Sequence, residues 1–336
     1  MAEFVGAFAE DLVFVRNATE GVNAVLRSLE LAPGDELLCT SHGYNACNNA
    51  LQFVAERSGA SVVVAKVPFA TGGPEVVIDA IEAAVTPRTK FALIDHVTSP
   101  TGLIFPVETL VNKLRARGVL VMIDGAHAPG MLPLHLNALG ADFYTGNAHK
   151  WLCAPKGAAI LHVARAHQKM VRPPVISHGA NDKRAHRSRF HLEFDWTGTF
   201  DPSAILALPA ALAFMRKLAP DAHGDGLNLV REHNHQLVLQ ARALLCEQLR
   251  CPQLAPQTML GSLATVQLPA SNAQAALDAP FSFDPLHPQL FEEHRIEVPV
   301  FRFDGGRYLR VAAQWYNHIA QYQALADALN ALLHGR

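Results

Sequence analysis

No apolar run in this chain of 336 residues is long enough to span a bilayer, and its N-terminus has no charged-then-apolar leader. The seventeen histidines are scattered, with no HExxH or other metal-ligand spacing, so no metal site is expected. Five cysteines, Cys39, Cys47, Cys153, Cys246 and Cys251, are odd in number and form no CxxC pair, which predicts a reducing, cytoplasmic setting rather than a disulfide framework. A net charge of −2 supplies no basic surface and so excludes nucleic acid and membrane surface as expected partners. No GxGxxG follows a predicted strand, which argues against a nucleotide-binding Rossmann domain. There is no internal repeat and no low-complexity tract.

Half of the residues are hydrophobic and 17% are charged, enough apolar material for one large domain and a smaller one. Short apolar runs at 12–15, 36–40, 61–66, 91–95, 119–123, 141–145 and 157–163 read as strands. Helical patterns lie between several of them. Val22, Val25, Leu26 and Leu29 fall at helical spacing after Asn17-Ala18-Thr19-Glu20-Gly21. The start of that helix suits a phosphate, and it equally suits an ordinary N-cap by Asn17 or Thr19. The alternation predicts a parallel sheet with helices on both faces. Thr19, His42, Tyr44, Ser99, Asp124, His127 and Lys150 fall where strands end, the side on which open α/β sheets bind ligands. Residues 164–195 read as an irregular excursion, followed by a helix that Pro209 should kink. Past a boundary near 220–226, a long helix over 227–250, strands at 263–268, 296–300 and 308–311, and a last helix over 318–333 form the smaller domain.

Residues 119–157 organise the chemistry. An apolar strand ends on Asp124, with His127 three residues on, and a Gly/Asn-rich loop brings Lys150 26 residues after the aspartate. A carboxylate and an amine so placed suit pyridoxal phosphate. Its aldehyde needs a lysine to form a Schiff base, and its ring nitrogen needs an acid to keep it protonated. Taken singly, a turn aspartate and a solvated lysine are the commoner readings. Arg310, in a predicted strand, is either a carboxylate clamp or a strand-edge surface residue.

The motifs NATEGVN (17–23), SHGYNAC (41–47), DHVTSPTG (95–102), MIDGAHAPG (122–130), GNAHKWLCAPKGAAIL (146–161), WTGTFDPSA (196–204) and RYLRVAAQWYN (307–317) run nearly end to end. Through them the chain resembles class V aminotransferase-type, pyridoxal-phosphate-dependent enzymes of fold type I, and among these the isopenicillin N epimerase-like group. The resemblance implies a mostly parallel sheet with helices on both faces, over 1–220, and a smaller α+β C-terminal domain over 221–336. It implies Lys150 as the Schiff-base lysine, Asp124 as the ring-nitrogen acid and His127 near the ring hydroxyl, these three being the catalytic set. Thr19, the Glu20 backbone and His149 match the phosphate side, and Ser99 lies near the ring hydroxyl. Thr199 matches a residue that reaches the phosphate of a neighbouring subunit, implying a homodimer with shared sites. Arg310 matches the arginine for the substrate α-carboxylate. Either His42 or Tyr44 stacks on the ring. Relatives carry a further N-terminal segment before the first strand, so a shortened start is expected here. Cysteine desulfurases of the superfamily use a cysteine near the substrate arginine. No cysteine follows Cys251, which argues against that activity.

The expected reaction removes the α-proton of an amino-acid substrate and returns it on the other face, an epimerisation. The alternatives are a C–S lyase, an aminotransferase, and a cofactor-binding homologue without catalysis.

Overall fold

The computed structural model describes residues 1–219, 226–270 and 284–334. The chain divides into two units: Met1–Val67, Pro74–Ser99 and Phe105–Leu227 form the first, and Pro68–Gly73, Pro100–Ile104 and Asn228–Arg336 the second. The boundary expected at 220/221 falls outside the described residues.

The first unit is built on a seven-stranded sheet. Its strands are β1 (Leu12–Val15), β2 (Glu36–Thr40), β3 (Ser61–Ala65), β4 (Thr89–Asp95), β5 (Leu120–Asp124), β6 (Phe143–Asn147) and β7 (Ala159–Val163), in the order β1-β7-β6-β5-β4-β2-β3. Pairings from β3 through β6 are parallel, and β7 runs antiparallel to both β6 and β1. Every residue of β2, β6 and β7 is buried, as strands covered on both faces require. The helix Ala18–Leu26 puts Val22, Val25 and Leu26 into the same core as Leu37, Phe91, Met122 and Phe143.

The strand expected at 141–145 starts two residues later. Asp142 spends its carboxylate on the Val121 amide, at 2.8 Å, so the ladder begins at Phe143 and extends through Gly146 and Asn147 opposite β7. Pro209 does not kink a helix. The chain makes two, Ser203–Leu206 and Leu208–Leu218, and Pro209 falls in the first turn of the second, where a missing N–H costs nothing.

In the second unit, β8 (Leu263–Leu268), β9 (Val300–Phe303) and β10 (Gly306–Ala312) form an antiparallel sheet in the order β8-β10-β9. The strand expected at 296–300 begins only at Val300. Arg295 ends the preceding helix at φ 58°, and Pro299 has no N–H for a ladder. Among the described residues no helix is long and apolar enough to cross a membrane.

Candidate active site

The strand order reverses between β2 and β4, and a crevice forms there at the carboxyl ends of the strands. The cavity at this end measures about 420 Å³ and lies within the first unit. Each neighbouring strand end contributes: Asn17, Ala18 and Thr19 after β1, Tyr44 after β2, Asp95, Val97 and Ser99 from β4 onward, Asp124, Ala126 and His127 from β5, and Asn147, His149 and Lys150 from β6. Residues more than a hundred positions apart meet because parallel strands all end on one side.

Asp124 is buried at the floor. One carboxylate oxygen accepts the Ala126 N–H at 3.0 Å and the other the Cys47 S–H at 3.3 Å. Burial raises its pKa, and these two donors hold it back. The Cys47 thiol is itself pushed up, by burial and then by Asp124, so it stays a donor. Behind Asp124 the chain must pass Tyr144. A Cβ on Gly125 would lie 2.2 Å from the Tyr144 hydroxyl, which hydrogen-bonds His96 Nδ1 at 2.9 Å.

Lys150 Nζ lies 2.9 Å from His127 Nε2. The Trp151 indole N–H donates to His127 Nδ1 at 3.3 Å. An indole only donates, so the neutral imidazole carries its own proton on Nε2, facing Lys150.

At the start of the helix Ala18–Leu26 the Asn17 side chain accepts the Glu20 N–H, and Asn147 accepts the Ala18 N–H. The N-cap and the anion-binding readings therefore coexist. Asn17 caps the helix, while among the described residues neither the amide nor the hydroxyl of Thr19 has a hydrogen-bond partner. The Glu20 amide is occupied by that cap, and its carboxylate pairs with Arg16 at 3.0 Å. Burial lowers the His149 pKa, and its Nδ1 faces the Ala158 carbonyl at 3.2 Å.

One of the two ring-stacking candidates, His42, and the residue expected to reach a neighbouring subunit, Thr199, lie outside this cavity, both in the first unit. His42 is fully buried below the strand end, with Nε2 3.0 Å from the Val67 carbonyl and its ring edge-on to Phe105; Tyr44 is the member of that pair that lines the cavity. Thr199 is exposed and lines a second, larger groove of about 940 Å³, which shares Asn17 and His149 with the cavity. Arg310 belongs to the second unit. There it faces Thr265 across the ladder, its amide donates to the Pro299 carbonyl, and burial lowers its pKa. Asp95, Cys47, Asn147 and Trp151 were not singled out from the sequence. For Asp95 the signal was present: it closes β4 as Asp124 closes β5.

The cavity suits pyridoxal phosphate on its own chemistry. It offers a desolvated carboxylate in need of a cation, an amine, and an unpartnered amide and hydroxyl at a helix N-terminus.

Residues 1–278 match the family described as Aminotransferase class-V. The isopenicillin N epimerase of Amycolatopsis lactamdurans is 34% identical, over 99% of this chain and 83% of that protein. A probable chloroplastic L-cysteine desulfhydrase of Arabidopsis thaliana is 29% identical, over 96% and 70%. Among solved structures, the apo cysteine desulfurase of Thermococcus onnurineus NA1 superposes with a TM-score of 0.77 at 19% identity, covering all of this chain and 82% of that one. The chain belongs to the class V aminotransferase family of enzymes, and its cofactor is pyridoxal 5'-phosphate.

Proposed function

We propose that this protein is an amino-acid epimerase of the isopenicillin N epimerase kind, working at the substrate α-carbon as a cytoplasmic homodimer. The observation that carries the reading is that Lys150 and Asp124 line one cavity. Support for the finer assignment comes from the two isopenicillin N epimerases, at 34% and 32% identity over 99% of this chain.

When bound, pyridoxal phosphate supplies an aldehyde for the substrate amine and a ring that accepts the electrons left at the α-carbon. Lys150 is assigned to hold the aldehyde and, once released, to take the α-proton. The His127 imidazole, 2.9 Å from Lys150 Nζ, is in place to exchange a hydrogen bond with that amine. Asp124 is assigned to the ring nitrogen, where its raised pKa marks an unmet demand for a cation. His127 and Ser99 are assigned to the ring hydroxyl. Thr19 and His149 are assigned to the phosphate, together with the partner subunit's copy of Thr199. Arg310 is assigned to the substrate carboxylate. Epimerisation needs a second proton donor on the far face of the α-carbon. That role goes to Tyr44, half-exposed and lining the cavity, rather than to His42, which is buried away from it.

The cysteine desulfhydrase relatives, 29% identical in one case, favour a second reading, a C–S lyase. Incubating the holoenzyme in deuterated water with L-amino acids separates the two. Racemised substrate labelled at the α-carbon is expected. Release of keto acid, ammonia and thiol would replace the epimerase reading by the lyase. Exchange should vanish in Lys150→Ala, and exchange that survives would remove Lys150 from its role.

A further inference from the structure

β4 and β5 are parallel neighbours, and their last residues, Asp95 and Asp124, are register partners. Register partners on adjacent strands point to the same face, about 5 Å apart at the backbone. The His96 amide donates to the Asp124 carbonyl at 2.9 Å and holds the two strand ends together. Both side chains are buried, at 5% and 3% exposure, and both line the cavity. Among the described residues neither carboxyl makes an ion pair.

Two carboxylates side by side in a dry pocket do not both ionise. The donors decide which one carries the charge. Asp124 receives two donors from other residues, the Ala126 N–H and the Cys47 S–H, whereas the Asp95 carboxyl is met by its own backbone N–H. The remaining neighbours leave the balance unchanged. Burial keeps Cys47, Cys39 and Tyr144 protonated and His96 neutral, with His96 pulled down to about 4. His127, His149 and Lys150 face the same space, and a positive charge on Lys150 acts on both carboxyls in the same direction, lowering the pKa of each.

We propose that Asp95 is a positioning residue for the ring-nitrogen acid: it holds the one proton of the Asp95–Asp124 pair and so keeps the single negative charge on Asp124. The direction of the Asp95 pKa agrees, being raised well above its ordinary value by burial and then by Asp124. The inference rests on the assignment of Asp124 to the ring nitrogen. Held neutral, Asp95 leaves Asp124 as the single anion, whereas a second anion beside it would divide the attraction for the protonated ring.

The test combines infrared spectroscopy of the holoenzyme at neutral pH, with isotope-labelled aspartate, and titration of pyridoxal phosphate into the apoprotein. The wild type should show the carbonyl band of a protonated aspartic acid, and Asp95→Asn should remove it. Asp95→Ser, smaller and also without a carboxyl, should remove it too and stands in if the first variant folds poorly. Asp95→Asn should keep cofactor affinity within about threefold and leave the visible absorbance unchanged, because it replaces one neutral group by another. Asp124→Asn should weaken affinity about tenfold or more and shift the absorbance. A band that persists in both Asp95 variants overturns the proposal. So does an Asp95→Asn protein that loses affinity as Asp124→Asn does. If Asp124→Asn binds and absorbs like the wild type, the ring-nitrogen assignment fails and the positioning role with it, while the infrared band still reports where the proton sits.

Discussion

Asp95 and Asp124 show how far one residue's chemistry depends on its neighbour. Burial raises both pKa values, so in the apoprotein each carboxyl holds its proton to a higher pH than in the unfolded chain. The unfolded state then binds fewer protons, and stability falls as pH rises above the ordinary carboxylate range through the raised values. Asp95→Asn removes one such group and is expected to flatten that fall, read as apoprotein melting temperature against pH. A steeper fall in the variant would contradict the protonation order. Trp151 poses a second question at this scale. Its indole N–H fixes which nitrogen of His127 faces Lys150. Trp151→Phe keeps the ring and removes the donor, on the order of 1 kcal/mol of hydrogen bonding. A drop in kcat of about tenfold, with a shifted pH–kcat profile and little change in KM, is expected. An unchanged profile would reduce Trp151 to packing.

Among the elements, the helix Ala18–Leu26 joins stability to binding. Its N-cap is Asn17, and Thr19 in the same turn lines the cavity. Asn17→Ala is expected to cost about 1 kcal/mol and to weaken pyridoxal phosphate binding several-fold, since a frayed first turn no longer presents the Thr19 amide. Denaturant titration and cofactor titration of the same preparation test both halves. The C-terminus of the helix Leu227–Leu249 makes a different arrangement. The Cys251 amide donates to the Cys246 carbonyl, the Arg250 amide to that of Glu247, and Arg250 sits at φ 51°. This pattern of a left-handed residue with nested bonds turns residue 251 back onto residue 246. The Cys246 side chain lowers the Cys251 thiol to about 7. At neutral pH, iodoacetamide should therefore modify Cys251 well before the buried Cys39, Cys47 and Cys246, as peptide mass mapping would show. The sequence showed five cysteines without a CxxC pair. It took the helix end to bring two of them together.

For the whole molecule, the sheet order matters more than any single strand. The reversal between β2 and β4 opens the crevice, and the parallel run from β3 to β6 delivers its strand ends to one side. The groove of about 940 Å³ beside the cavity carries Thr199, the residue assigned to a neighbouring subunit's phosphate. Sedimentation should accordingly give twice 36.4 kDa for the holoenzyme. A monomer that still binds the cofactor at full affinity would remove Thr199 from the site. In the second unit, Asp284 and Arg307 form a buried pair through two hydrogen bonds. Asp284→Ala leaves a buried guanidinium without its partner and is expected to cost about 3–5 kcal/mol. An early transition in a two-step melt, with the first unit's cofactor absorbance intact, would mark where that cost falls.

Much of this protein was legible as sequence because the signals are local. Alternating apolar strands and helical stripes predict the α/β layers. The NATEGVN turn contains its own cap, and an acid and a lysine in adjoining motifs identify the cofactor chemistry. What needed the tertiary structure were contacts between strands joined by long crossovers. The pairing of Asp95 with Asp124, the Cys47 thiol on the Asp124 carboxylate, the burial of His42 with Tyr44 left in the cavity, and the place of Pro209 at a helix start all depend on register and packing. Local sequence specifies which residues end a strand. Which strand ends lie side by side is set by the sheet order, and the electrostatics of the site follow from that adjacency.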